Sequence, residues 1–209
     1  MDIQRPQDLQ RTPEWHALRA GKVTASRVAD IMAKTKTGTS ASRATYMAEL
    51  MSERLTGKPA LKFSSRAMDW GTEYEEEARA NYEVASGNLV EGVGFVPHPT
   101  LEAGASPDGY IGSDGLIEIK CPNTSTHLDT LMSQEIPPKY VYQIFWQMEC
   151  TGRTWCDFVS YDPRLPENLR IFIKRIERDD LRLSEIRKDV ALFIDELNAK
   201  IEKLNNLFQ

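Results

Sequence analysis

Asp108, Glu118 and Lys120 are the residues whose types and spacing could do chemistry in this chain. They lie in Ser106-Pro107-Asp108-Gly109 and in Gly115-Leu116-Ile117-Glu118-Ile119-Lys120-Cys121-Pro122. Alternation over 116–120 puts Glu118 and Lys120 on one face of a strand and Ile117 and Ile119 on the other. Lysine and glutamate are almost never fully buried unless paired. Two readings follow. One is a Glu–Lys surface pair on an edge strand. The other is a site that Asp108 enters from the end of the preceding strand. Two carboxylates converging from adjacent strands make a hard oxygen site suited to Mg²⁺. A lysine beside them can orient a water and help to deprotonate it. The metal polarises a phosphoryl oxygen and offsets charge as it develops in the transition state. That is equipment for hydrolysing a phosphodiester, although short patterns of common charged residues also arise by chance.

Three other features add to it. Glu75, in Trp70-Gly71-x-x-Tyr74-Glu75, could supply a third carboxylate from a helix beside the sheet. The competing reading makes Glu73, Glu75, Glu76 and Glu77 a solvated acidic face. Gln143 lies on a helix with Tyr140 and Gln147 on the same side, or is an ordinary exposed polar residue. Arg19 and Gly21 precede Thr24-Ala25-Ser26 at a helix start, where free N–H groups, two hydroxyls and a guanidinium make a phosphate pocket. Plain capping by Thr24 is the alternative, and it needs no Arg19.

The elements that must position these groups read as an α/β domain with one central mixed sheet flanked by helices. Thr12-Pro13 opens a short helix over Glu14–Arg19. Residues 25–33 form a second, with Thr24 as its cap. Residues 34–42 read as a polar loop. Helices follow over 43–55 and 65–85. The period then changes to short strands at 89–96, 103–105, 110–111 and 116–120. Helices at 125–132 and 139–151, strands at 155–161 and 169–176, and a helix over 180–207 complete the chain. In the last helix Leu181, Ile186, Val190, Phe193, Ile194, Leu197, Ile201 and Leu204 form an apolar stripe.

Composition bounds the class. The 209 residues are 41% hydrophobic and 27% charged, which suits a single globular domain over 1–209 and not a disordered chain. No window approaches ~18 consecutive apolar residues, and the first residues are too polar for a signal peptide, so a cytoplasmic location without membrane contact is expected. Three cysteines without a Cys-x-x-Cys pair exclude a disulfide framework or a four-thiolate cluster. His16, His98 and His127 are scattered, so they read as surface or packing residues. The net charge of −5 argues, as a whole-chain average, against a passive DNA-coating protein. Its distribution is informative. Residues 1–70 hold 12 Lys+Arg against 7 Asp+Glu, and residues 71–118 hold 1 against 10. The basic part contains the candidate phosphate pocket and the acidic part the candidate metal carboxylates.

Taken in order, Trp15-His16-x-Leu18-Arg19-x-Gly21-x-x-Thr24-Ala25-Ser26, Trp70-Gly71-x-x-Tyr74-Glu75, Ser106-Pro107-Asp108-Gly109, Leu116-Ile117-Glu118-Ile119-Lys120-Cys121-Pro122, Gln143 and Tyr161-Asp162-Pro163-Arg164 resemble the lambda-exonuclease-like, YqaJ-type viral recombinase group of PD-(D/E)xK nucleases. The resemblance runs from about residue 14 to 180. It implies a restriction-endonuclease-like core and an enzyme that digests one strand of linear duplex DNA from a 5′ end. A 3′ single strand is left for recombination by a single-strand-annealing partner protein. It implies Mg²⁺, with Mn²⁺ as a substitute, and a homotrimeric ring around the DNA, in a bacterial cell carrying a phage or prophage. By resemblance, Asp108, Glu118 and the Ile119 carbonyl bind metal, Glu75 serves a second metal, Lys120 acts on the attacking water and Gln143 helps to position it. Arg19, Thr24 and Ser26 hold the 5′-phosphate, Ser106 touches the scissile region, and Met68 falls at an apolar wedge. Gln147 stands where related nucleases place a tyrosine, which leaves its role open. Lys34 and Lys36 are further candidates for phosphate contact. Other PD-(D/E)xK nucleases, or a non-catalytic DNA-end binder, are the alternatives.

Overall fold

The computed structural model describes residues 10–35, 38–60 and 66–208, the side chains of 67 and 68 excepted. The expectations for Met68 and Lys36 therefore lie outside the described residues. Helix α1 (Pro13–Arg19) starts as its sequence predicts: Thr12 accepts the Trp15 N–H at 3.1 Å, with proline in the first turn. Strand β1 (Val23–Thr24), a 3₁₀ turn over Ala25–Arg27 and α2 (Val28–Met32) follow. The expected single helix over 25–33 is thus broken, and the Thr24 side chain does not cap it. The expected polar loop is a small hairpin, β2 (Lys34–Thr35) with β3 (Gly38–Thr39), before α3 (Ala41–Thr56).

After α4 (Arg66–Ser86), the strand expected over 89–96 is two separate pieces, β4 (Val90–Glu91) and β5 (Val96–Pro97). They belong to different sheets. β5 and β1 flank β6 (Ala103–Ala105) in a three-stranded sheet. The larger mixed sheet has the order β10-β9-β8-β7-β4, formed by β7 (Gly109–Ile111), β8 (Gly115–Lys120), β9 (Trp155–Tyr161) and β10 (Ile171–Glu177). β8 lies at its centre, antiparallel to β7 and parallel to β9. The edge-strand reading of Glu118 and Lys120 is thereby excluded.

Helices cover both faces of this sheet, which buries the two alternating side-chain sets of β8 in different cores. Ile117 and Ile119 pack with Val159 and Tyr161 against Ala78 and Tyr82 of α4. Leu116 packs with Phe158 against α6 (Pro138–Thr151) and α7 (Asp180–Leu207). The other connecting helix, α5 (Thr124–Ser133), buries His127 between Ser160 Oγ (2.7 Å) and the Leu169 carbonyl (2.8 Å). The α7 stripe is turned inward as expected, through Ile186, Val190, Phe193, Ile194 and Leu197. Leu181 is the exception: it is exposed, and Leu183 takes the buried place. Asp179 caps α7, which sets the helical phase so that 183 rather than 181 faces the core. Among the described residues no helix is long and apolar enough to cross a membrane.

Candidate active site

Sheet register gathers the central residues. Gly109 pairs with Ile117, so Asp108 stands just outside the last rung of β7. A Cβ at Gly109 would come within 2.2 Å of Val90 Cγ1, so only glycine lets β4 lie this close. Beyond that rung the Ile119 N–H is free to turn to Asp108, whose Oδ2 accepts it at 2.6 Å. A strand residue's N–H and C=O point the same way. The Ile119 carbonyl is therefore directed to the same side, past the end of the β7 ladder.

Glu118 is fully buried on the α6 face. Gln143 Nε2 donates to its Oε1 at 2.6 Å, and Gln147 Nε2 to its Oε2 at 2.5 Å. The Lys120 ammonium pairs with Oε1 and lies 5.2 Å from the Tyr140 ring centroid. Gln143 and Gln147 are one helical turn apart, which is why one face of α6 reaches both carboxylate oxygens. The sequence leaves the role of Gln147 open; in the fold its side chain contacts Glu118.

The electrostatics are those of crowded carboxylates. Burial, then the charges of Glu118 and Glu75, hold the Asp108 carboxyl well above the usual range, against Lys120 and the Ile119 N–H. Burial alone would lower Lys120, but the charges of Glu118 and Asp108 outweigh it and keep the ammonium above the ordinary lysine range. Lys120 thus keeps its proton and stays an ammonium while those charges stand. A divalent cation fits this set of hard oxygen donors, because it relieves the excess negative charge that burial cannot screen.

Glu75 is brought to the rim, close enough to act on Asp108, but its oxygens face Arg11 Nη2 (2.7 Å) and Arg79 Nη2 (3.5 Å). Among the described residues no three side chains of His, Cys, Asp or Glu form a group that could hold a metal. The expected third carboxylate is therefore adjacent to the Asp108–Glu118 pair and not part of it. The acidic run of α4 is also not a uniform solvated face, since Glu77 accepts the Tyr161 hydroxyl at 2.6 Å.

Next to the cleft is a cavity of about 570 Å³ lined by Arg11, Trp15, Arg19, Lys22, Thr24 and Ser26, among others. The Arg19 guanidinium lies over the Trp15 ring, 3.7 Å from its centroid. Burial lowers its pKa to about 10, opposed by Tyr46 and Glu53. It remains a cation at neutral pH and is poorly screened, which strengthens its pull on an anion. Trp15 Nε1 donates to Ser106 Oγ at 3.0 Å, so the cavity and the carboxylate cleft share a wall.

Sequence reasoning did not assign Arg11 or Trp15 a contact. For Trp15 a signal existed: it lies four residues before Arg19, on the same helix face. Lys34 does not line the cavity; it is exposed, 4.0 Å from Asp189. Arg164 clamps buried Asp162 (2.7 and 2.9 Å) and lies 4.3 Å from the Trp70 ring centroid, which accounts for that motif structurally.

A family profile described as "YqaJ-like viral recombinase domain" matches residues 14–154. The chain is similar to LHK-Exo crystallised in complex with dAMP, with 53% identity, a TM-score of 0.88, and coverage of 93% of this chain and 97% of that one. It is equally similar to the structure described as an alkaline exonuclease, LHK-Exo, from Laribacter hongkongensis (52%, 0.87, 93% and 97%). A phage-related exonuclease from Haemophilus somnus 129PT shares the fold at 18% identity, with a TM-score of 0.72 over 88% of this chain and 96% of that one. A search of curated proteins gives no match.

Proposed function

This chain belongs to the YqaJ-like viral recombinase family and is an exonuclease, and from that premise we propose that it is a Mg²⁺-dependent enzyme digesting linear duplex DNA 5′→3′. The reading is carried by one observation: a cleft with Asp108, Glu118 and Lys120 shares the Trp15–Ser106 wall with a cavity containing Arg19. An end-dependent enzyme needs both, one place for the terminal phosphate and one for the bond to be cut. The dAMP bound to the 53%-identical structure is a nucleoside monophosphate, the size of product that such a spacing would release.

Asp108, Glu118 and the Ile119 carbonyl would hold the cation, with Glu75 at its margin, and Mn²⁺ would substitute. When bound, it supplies Lewis-acid polarisation of the phosphoryl oxygen and a lowered pKa for water. The chain's own residues do the rest. Arg19, Thr24 and Ser26 bind the 5′-phosphate and fix which bond is presented. Ser106 orients the scissile region. Gln143, anchored on Glu118, positions the water. Lys120 holds a proton beside the reacting oxygen and offsets charge there. The 3′ strand left behind would pass to a single-strand-annealing protein, and three copies would form the ring that keeps the enzyme on its track.

Digestion of linear duplex labelled separately at each end, with and without Mg²⁺, tests this. Release of 5′-end label as mononucleotide, only with the cation, is expected. Earlier loss of the 3′ label, or cutting of closed circles, would instead indicate another PD-(D/E)xK nuclease.

A further inference from the structure

Gln147 is fully buried, yet its side chain is only half satisfied. The Nε2 donates to Glu118 Oε2 at 2.5 Å. The Oε1 is buried with no partner among the described residues. Rotating the amide would not help, because it would set the carbonyl oxygen against a carboxylate. The neighbours of this residue on α6 are Ile144, Phe145, Trp146 and Met148, all buried. A methionine of the same length would pack there without leaving an acceptor unpaired. For the stability of the fold, glutamine is thus a poor choice at this position. What it adds is one donor, aimed at the carboxylate oxygen that neither Gln143 nor Lys120 contacts.

We propose that Gln147 is a positioning residue for the cation: with Gln143 it fixes Glu118 by both oxygens, so the carboxylate keeps one orientation as the cation arrives. Carboxylates that ligate a metal are generally oriented by such outer partners, whose loss costs about 10–100-fold in metal affinity or activity. Two amides from one rigid helix hold the plane of the carboxylate, which one amide leaves free to rotate. This rests on the reading of Asp108 and Glu118 as cation ligands.

The test is Mn²⁺ binding to the DNA-free protein, followed by titration with electron paramagnetic resonance, together with thermal unfolding in chelator. Gln147→Met should bind Mn²⁺ about 10-fold more weakly, yet unfold in chelator at a temperature equal to or above that of the wild type. With DNA, kcat should fall and recover in part at high Mg²⁺, while KM for DNA stays unchanged. Unaltered Mn²⁺ affinity in Gln147→Met would overturn the inference, as would a lowered unfolding temperature with unaltered affinity, which assigns Gln147 to packing alone. Should Gln147→Met fail to fold, Gln147→Asn, which keeps an amide but draws it back by one methylene, gives the same comparison. Asp108→Ala and Glu118→Ala separate the two levels. If they also leave Mn²⁺ affinity unaltered, the cation reading itself is wrong; if they abolish binding and Gln147→Met does not change it, only the role of Gln147 is.

Discussion

The indole N–H of Trp15 donates to the Ser106 hydroxyl at 3.0 Å, while the guanidinium of Arg19 lies over the same ring. One side chain therefore carries the cationic wall of the cavity and braces the segment that leads into Asp108. The spacing between terminal phosphate and scissile bond is set through it. In Trp15→Phe an aromatic platform for Arg19 remains, but the brace on Ser106 is lost. Misplacement by about 1 Å can cost ~10²-fold. We expect kcat to fall roughly 10-fold or more, with preference for 5′-phosphorylated ends retained. Product sizing on denaturing gels checks the spacing: dinucleotides beside mononucleotides are expected, and wild-type products at wild-type rate would remove the brace from the account.

Arg19 itself makes the opposite prediction. A half-buried guanidinium lining a cavity recognises a phosphate dianion at a chain end far better than a hydroxyl. Duplexes with 5′-phosphate should be digested faster than 5′-hydroxyl duplexes by about 10–100-fold. Arg19→Ala should erase the difference by slowing the phosphorylated substrate. If the variant still prefers phosphorylated ends, the phosphate sits elsewhere.

Lys120→Ala leaves Glu118 with its two amides but removes the ammonium that pairs with it. Cleavage should fall by roughly 10³-fold or more, while binding of duplex DNA, measured by filter retention without divalent cation, changes little. Digestion near the wild-type rate would refute the role given to Lys120.

Much of this was legible because strand alternation is a strict rule. It placed Glu118 and Lys120 together on one face and separated them from Ile117 and Ile119. The glycine and proline around Asp108 marked a strand end, and Thr12-Pro13 marked a helix start. Other features have no local signature. β4 and β5 are two residues each, too short for any period, and only pairing with β7 and β6 assigns them to different sheets. The contact of Gln147 with Glu118 depends on how α6 is seated on β8, a relation between residues 29 apart. The ion pair that draws Glu75 aside comes from Arg11, 64 positions away.

His98 carries a pH dependence. Its Nδ1 accepts the N–H groups of Thr100 (3.2 Å) and Leu101 (3.1 Å), so the ring is neutral with its proton on Nε2, 3.5 Å from Glu149. Burial lowers its pKa, and Arg187 adds to this, over the opposing pull of Glu149. The unfolded chain therefore takes up the proton first. The contribution is complete above the unfolded value of about 6.5 and is lost as pH falls through it towards the lower folded value. Thermal unfolding between about pH 7.5 and 5.5 should show Tm falling with acidification. His98→Gln should have a lower Tm at neutral pH but a flatter slope; parallel slopes would exclude His98 as the source.

Asp108→Asn separates stability from catalysis most sharply. Asp108 is half-buried beside Glu118 and feels Glu75 as well, with Lys120 as the opposing cation. In the cation-free protein this repulsion works against folding. An asparagine of nearly the same shape removes it, and its carbonyl oxygen can still accept the Ile119 N–H. Unfolding in chelator should occur a few degrees higher than for the wild type, since relieving strain in a functional site commonly yields about 0.5–2 kcal/mol. Saturating Mn²⁺ should reverse the order. A ligand that binds only the folded state at 100 times its Kd adds about 2.7 kcal/mol, and the wild type alone would gain it in full. Digestion by Asp108→Asn should be lost throughout. An Asp108→Asn protein less stable than wild type in chelator would mean that the carboxylate serves the fold, and the excess charge that makes the cleft fit a cation would have to be assigned to Glu118 alone.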